Sequence, residues 1–577
     1  MHRSFRFAAL AALLVSAAAS PASAFNGFFA SKKEGGAKSY TTQVVVMKKA
    51  GASVVSVMPD YEGPLEGFAL VMLVPEDVTV DGVTTLKREF VDRVDALSAP
   101  RFHEFWEQDP CDTTPAQQEW ERSLKVEGGG FLGGGPVNQG KKVAKELFLD
   151  VQAKQKEGEY KFTVLDAKQD AMGWLSSHGY KSPNGAGAAI QPYVEKGMKV
   201  LVAEVDPKRI ELVGGDRAQL SPVRYFTTKP FDTIVAKPGL LNSPGKQELV
   251  LYVIDPEARY EAKNYKTMFP PTNVAVDFAV KERMGEFYAA LHDIILEKNP
   301  KTFLSEYAWP ADGCGQPCAT EPLLIHELLS LGADVFEKSV PEAERNPKPP
   351  ALTKEEKDAQ QELVKELKPK ERKERLKTME EERKTVLARK GLLERNKYVV
   401  SRLHYRYDAA SLPEDPTIGP GAGAEGGVAL PNGQKMEVSS EVKTTPHNRL
   451  QIRYNNFHPW VPVIKCQNPE RGKWGKSPPD YRGLRKTWIA EDLSRRNRKQ
   501  IKPAEVVLTS IPALGLGAAQ ASNATADAGA DAGTAAPAKE KSGCSYVAAP
   551  ASGSALGFVS VALGALFGVA RRRRRGQ

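Results

Sequence analysis

The 577-residue sequence predicts an α+β fold: an antiparallel, strand-rich ectodomain with interspersed helices, a charged helical insertion and a C-terminal transmembrane segment. Three observations predict it. β-Branched runs separated by turn residues dominate the start of the chain. Stretches with helical spacing of apolar residues lie between later strand-like runs. One long Lys/Glu/Arg-rich stretch and one terminal apolar run stand apart from both.

The elements follow in chain order. Residues 1–24 carry Arg3 and Arg6, then an apolar stretch from 7 to 19, then the small-x-small site Ala22-Ser23-Ala24. That is the order of a secretory signal peptide, and the apolar run is short for a membrane helix. Cleavage between Ala24 and Phe25 is expected. Residues 43–48 (QVVVMK) and 52–58 (ASVVSVM) read as a hairpin turning at Lys49-Ala50-Gly51, and 68–74 (FALVMLV) as a third strand. A helix is expected over 84–97. Residues 101–111 bring Phe102, Phe105 and Trp106 ahead of Asp109-Pro110-Cys111, and 127–140 read as a glycine-rich loop. Strands are expected at 160–166, 200–206 and 248–255, and helices at 167–179, 186–196, 284–298 and 323–332.

The stretch 341–397 differs. Thr353-Lys354-Glu355-Glu356 has the form of a capping box, and a charged run interrupted by Pro369 follows. No apolar heptad seam persists, so two solvated helices are expected in preference to a partner-binding coiled coil. Strands return at 398–407 and 449–454, with a flexible glycine-rich loop at 419–427. The organisation is thus a signal peptide (1–24), a first folded part (25–340), the insertion (341–397) and a second folded part (398–514). An Ala/Gly/Asp-rich disordered spacer (515–543) and a sorting or transmembrane tail (544–577) close it.

Charge narrows the partners. The formal net charge is +9, but Arg3, Arg6, Arg571, Arg572, Arg573, Arg574 and Arg575 lie in the two end segments, which contain no acid. The middle carries +2 over more than 500 residues, too little for a nucleic-acid-binding surface. No nucleic-acid partner is expected.

The five cysteines are Cys111, Cys314, Cys318, Cys466 and Cys544. Cys544 follows Gly543 directly outside the terminal apolar run and is assigned to processing or anchoring there. The other four allow three disulfide pairings. Cys314 and Cys318 are close enough to bond each other if the turn permits, and Cys111 would then pair with Cys466. Cys314-Gly-Gln-Pro-Cys318 is read as a structural bridge, because zinc needs about four ligands and catalytic dithiols usually have two intervening residues.

Chemistry-bearing motifs are sparse. Gly135–Lys142 approaches a phosphate-binding loop, but Lys142 stands where the magnesium-holding hydroxyl belongs and no strand precedes it. The eight histidines, His2, His103, His178, His292, His326, His404, His447 and His458, are scattered and read as structural or solvated. His458-Pro459-Trp460 reads as a local packing element. No nucleophile, base and orienting group assemble, so no catalytic residue, metal ligand or cofactor is expected.

Several stretches together are distinctive: Ala24-Phe-Asn-Gly-Phe-Phe29, Pro59-Asp-Tyr61 with Phe68-Ala69, and Asp95-Ala96 with Ser98-Ala-Pro-Arg101 and Asp109-Pro-Cys111. Trp174-Leu with His178-Gly-Tyr180, Tyr193 with Lys196-Gly-Met-Lys199, Asn264-Tyr265, Cys314 with Pro317-Cys318, and His458-Pro-Trp460 complete the set. The chain resembles the bacterial exported family called domain of unknown function 2330 over roughly 24–340 and 398–470, with 345–397 inserted. Members often carry a cysteine where Asn26 stands, which removes one possible disulfide partner. They also often carry C-x-x-C where this chain has C-x-x-x-C, which weakens a redox analogy. The resemblance carries over no catalytic residues. The tail resembles the myxobacterial C-terminal sorting signal, with Gly543-Cys544, an apolar span and Arg571–Arg575. The arginines also hold a C-terminus on the cytoplasmic side.

These readings imply an exported protein of the cell envelope or surface, held at the membrane through its C-terminal segment or processed there by export and sorting machinery. Its ectodomain would bind or scaffold an extracellular or envelope ligand. The alternatives are an exported enzyme of unrecognised type or a thiol redox protein using Cys314 and Cys318. Converging His, Asp or Glu side chains in a deep pocket would favour the enzyme.

Overall fold

A computed structural model describes residues 27–112, 154–313, 320–336, 351–380, 398–475 and 488–489, less short breaks at 34–35, 156–157, 215–216, 321, 366, 428, 433–434 and 439–440. The principal strands are β1 Gly27–Ser31, β2 Thr41–Lys49, β3 Ala52–Glu62, β4 Phe68–Val74, β5 Arg101–Glu107, β6 Tyr160–Leu165 and β7 Lys199–Val205. They continue with β8 Val223–Thr227, β9 Gln247–Asp255, β10 Thr302–Pro310, β11 Val399–Tyr407, β12 Arg449–Gln451 and β13 Arg453–His458. The principal helices are α1 Arg88–Ser98, α2 Ala171–Ser177, α3 Ala186–Val194 and α4 Met284–Lys298. Helices and strands are thus mixed, with substantial sheet content.

The β-branched runs at the start form the middle of the main sheet, whose central order is β12-β10-β11-β9-β2-β3-β8. β2 and β3 pair antiparallel down to Lys49 opposite Ala52, so the turn is the two residues Ala50-Gly51. Both have positive φ, 51° and 81°, as a primed hairpin turn requires. Most pairings are antiparallel, but β9 lies parallel to β2, from Glu248 opposite Thr41 to Ile254 opposite Met47. The third predicted strand, β4, leaves this sheet. It joins β1, β7 and β6 in a second, four-stranded sheet of order β1-β4-β7-β6. β5 and β13 pair in parallel in a third sheet.

Alternation along the strands divides the core. Val44, Val46, Leu251 and Leu403 of the main sheet pack with Phe68, Leu70 and Leu201 of the four-stranded sheet. The four-stranded sheet turns Phe28, Val71 and Val202 toward Leu175 of α2 and Ile190 of α3. On the opposite face of the main sheet, Val45, Met47, Val250 and Tyr252 lie under Phe90, Val91 and Val94 of α1 and under Leu328 and Leu331. α4 sets Phe287, Leu291 and Ile295 against Leu304, Leu450 and Tyr454. Each fully buried side chain of this size contributes about 1.5–3 kcal/mol.

Several local expectations are corrected. The helix expected from 84 begins at Arg88, because Thr84–Leu86 is a strand whose β-branched residues pair with Val223 and Arg224. The loop expected over 419–427 holds two short strands, Ile418–Gly421 and Ala424–Gly426. The first is fixed against Arg259–Ala262, a long-range pairing that glycine content hides. The expected helix at 323–332 is broken into Ile325–Leu328, a π turn at Leu329–Ala333, and Asp334–Phe336. Its Gly332 has φ 151°, and a Cβ there would lie 2.7 Å from Cβ of Val54, so only glycine lets the backbone come this close to the hairpin. Among the described residues of the insertion, the two expected charged helices are present at Lys354–Val364 and 369–380, with Pro369 opening the second after the interruption. No helix among the described residues is long and apolar enough to cross a membrane. The spacer and tail lie outside those residues.

Candidate functional site

The motif RLHYRY in β11 places charged residues two apart, so Arg402, His404 and Arg406 share one face with Val400. That is the face under α1 and α4. On the neighbouring strand β9, Arg406 stands opposite Glu248, His404 opposite Val250 and Arg402 opposite Tyr252. On the other side, β10 runs opposite β11 with a register shift between Ser305 and Tyr307. Glu306 is the extra residue of this bulge, and a bulge re-aims a side chain that strict alternation would send elsewhere. Its side chain is completely buried.

Glu306 is the hub of a buried array. Its Oε1 accepts from the Tyr288 hydroxyl of α4 at 2.6 Å and from His404 Nδ1 at 2.8 Å. Its Oε2 accepts from Arg402 Nε at 2.6 Å. Arg402 Nη1 donates to Oδ1 of Asp95 on α1, which also accepts from the Tyr252 hydroxyl. Gln43 donates in turn to Tyr252 at 2.7 Å. On the far side, His404 Nε2 lies 2.8 Å from Glu248 Oε1, which also accepts from Arg406 Nη1 at 3.3 Å. Arg406 Nε reaches Asp293 of α4 at 3.1 Å. His292 of α4 places its ring edge-on to His404, with centroids 4.3 Å apart.

The charge states follow. A carboxylate only accepts, and both His404 nitrogens face one, so both nitrogens donate and His404 is an imidazolium. Burial pulls its pKa down, but Glu306 and Glu248 outweigh this and raise it to about 9. Burial pushes the Glu306 carboxyl up, but His404 and Arg402 outweigh it and hold it below the ordinary carboxylate range. His292 goes the other way: burial, then His404 and Arg406, press it well below its usual value, and it is neutral. His103 on β5 is likewise pressed down by burial and by Arg453.

These directions fix a stability profile. His404, with its folded pKa raised, contributes stability that is full below about pH 6.5 and is lost as pH rises through about 9, up to about 3 kcal/mol. His292 and His103, with folded pKa values depressed, cost stability as pH falls below 6.5, because only the unfolded chain then takes up their protons. Denaturant unfolding at pH 5, 6.5 and 9 is expected to show a maximum near 6.5. Equal stability at 6.5 and 9 would remove the imidazolium.

Of the residues singled out in the sequence, Cys111 and Cys466 form a disulfide with a Cα–Cα distance of 5.5 Å, across 355 residues. Cys314, Cys318, Ala24, Phe25, Gly543, Cys544 and Arg571–Arg575 lie outside the described residues. His458-Pro459-Trp460 packs locally: His458 stacks on Trp106 at 4.4 Å and reaches Glu104, and the Trp460 amide donates to Glu107. The histidines read as scattered are not all so, since His292 and His404 meet across a helix and a strand. The available signals were the period-two charges of RLHYRY and a histidine on the apolar side of 284–298. Neither names its partner, which lies 112 or more residues away in the sequence.

One protein-family profile matches residues 20–419, that of an uncharacterized protein conserved in bacteria, DUF2330. No curated protein and no solved structure gives a significant match.

Proposed function

This chain belongs to the bacterial DUF2330 family, and from that premise we propose that it is an exported protein of the cell envelope whose ectodomain binds or scaffolds a partner. The observation that carries the reading is the Cys111–Cys466 disulfide, since such bonds persist in oxidising compartments and are rare in a reducing cytosol. The signal-peptide pattern at 1–24 and the Gly543-Cys544 tail with its five arginines support the same compartment.

A binding role is favoured over catalysis by the closure of the buried array. The His404, Glu248 and Glu306 side chains are 8%, 5% and 0% exposed, so among the described residues they are packed in the interior and present little surface to a substrate. At the surface, Phe278, Val461 and Val463 turn apolar side chains to solvent beside the His458 segment that the disulfide anchors. Partner contacts are expected there.

Mass spectrometry of the mature protein tests the reading. It is expected to find an N-terminus at Phe25, Cys111 linked to Cys466, and a chain processed or modified at Cys544. A retained Met1, or free thiols at Cys111 and Cys466, would overturn export. An intact chain to Gln577 with an unmodified Cys544 would overturn sorting at the tail and leave a plain membrane anchor.

A further inference from the structure

We propose that Glu248, His292 and His404 bind one divalent transition-metal ion of the zinc class, tying α4 to strands β9 and β11. The inference is independent of the envelope reading. One ligand atom from each residue lies within 4.8 Å of the others, and all three residues are buried. Imidazole nitrogen with carboxylate oxygen is the donor set that suits zinc, and two histidines with one glutamate is a recurrent zinc site with one position left open.

His292 points to a ligand independently of that grouping. It is completely buried, yet neither ring nitrogen has a hydrogen-bond partner among the described residues. An unpartnered buried polar group costs about 1–3 kcal/mol, and a bound ion is one of the few things that can satisfy it. A coordinate bond from His292 removes that cost.

The surroundings of His404 are those of a metal ligand. Nδ1 donates to Glu306, which is itself held by Arg402 and Tyr288. A carboxylate behind the imidazole fixes the ring and leaves Nε2 for the metal. The ion takes the place of the proton that Nε2 shares with Glu248 Oε1. At zinc–ligand distances of about 2.0–2.1 Å, tetrahedral ligand atoms stand about 3.3 Å apart. The 2.8 Å His404–Glu248 gap therefore opens by about half an ångström, while His292 closes in. Entry is from the edge where Lys246, Asp293 and Arg406 are 51%, 30% and 19% exposed at the side chain. The cations there lower affinity, and Asp293 beside them counters it.

The test uses the full chain, stripped with a strong chelator, given zinc sulfate and desalted. About one zinc per chain is expected to remain, with a raised unfolding midpoint. His292→Phe fills the same space without a donor. It should fold and lose zinc affinity by about 100-fold or more. His178→Ala, which removes an exposed histidine, should change nothing. Retention of no zinc by the wild-type protein, or equal retention by His292→Phe, overturns the site. Cobalt(II) chloride added to the wild-type chain decides even if that variant fails to fold. Strong visible absorption of four- or five-coordinate cobalt supports the site, and the weak spectrum of the octahedral aquo ion overturns it.

Discussion

Replacing Glu306 with glutamine is expected to cost about 3–5 kcal/mol of folding stability, measured by urea or guanidinium unfolding. The carboxylate lies in the interior with two cations and a hydroxyl directed at it, from His404, Arg402 and Tyr288. Burying any of these charges alone is unfavourable, and their mutual attraction at low dielectric offsets it only while the set is complete. Glutamine keeps the volume but loses the charge. Arg402 then retains Asp95, and His404 retains Glu248. The loss should exceed anything seen at an exposed pair such as Lys33–Glu66, where about 0–1 kcal/mol is usual. A second substitution, Arg402→Met, made together with Glu306→Gln, should recover part of the loss, because part of the single-variant cost is the cation left uncompensated. A loss under about 1 kcal/mol for Glu306→Gln would show that the array does not hold the fold together.

Replacing both Cys111 and Cys466 with serine is expected to cost about 2–5 kcal/mol. The bond closes a loop of 355 residues, and loop-closure entropy in the unfolded chain rises with the logarithm of loop length. The folded state has reason to keep its shape without the bond. β13 pairs with β5 from Arg453 opposite Arg101 to His458 opposite Trp106, and Arg471 reaches Glu107. The effect should therefore appear as a shift in unfolding midpoint with the fold retained. The double variant and the native protein unfolding at the same denaturant concentration would refute it.

Much of the local structure was legible in the sequence. The helix at 284–298 and the hairpin at 43–58 could be read because apolar spacing and turn glycines are local signals. The array was legible in fragments only. RLHYRY shows charged residues at strand spacing in a run otherwise fit for a core, and such residues need partners. Asp95, one of the residues that carried the family resemblance, is one such partner, but it lies 307 residues from Arg402. The bulge at Glu306 is invisible to alternation, because it is a departure from it. The strands at 418–421 and 424–426 were misread for a related reason: glycine-rich segments carry no periodic signal, and their pairing is with distant residues.

The sequence by itself determined the element types where apolar spacing is regular, the charge balance of the ends against the middle, and the family resemblance, since each is a property of neighbouring residues or of composition. Tertiary structure alone decided that β4 leaves the hairpin's sheet and that β9 runs parallel to β2, and it selected Cys111–Cys466 from the pairings the sequence left open. It also decided that Glu248, His292, Glu306 and His404 converge. The physical reason is the same in each case. A buried charge, a paired strand or a disulfide cysteine depends on a partner far away in the chain, and that meeting is set by long-range register and packing, which no local window of sequence contains.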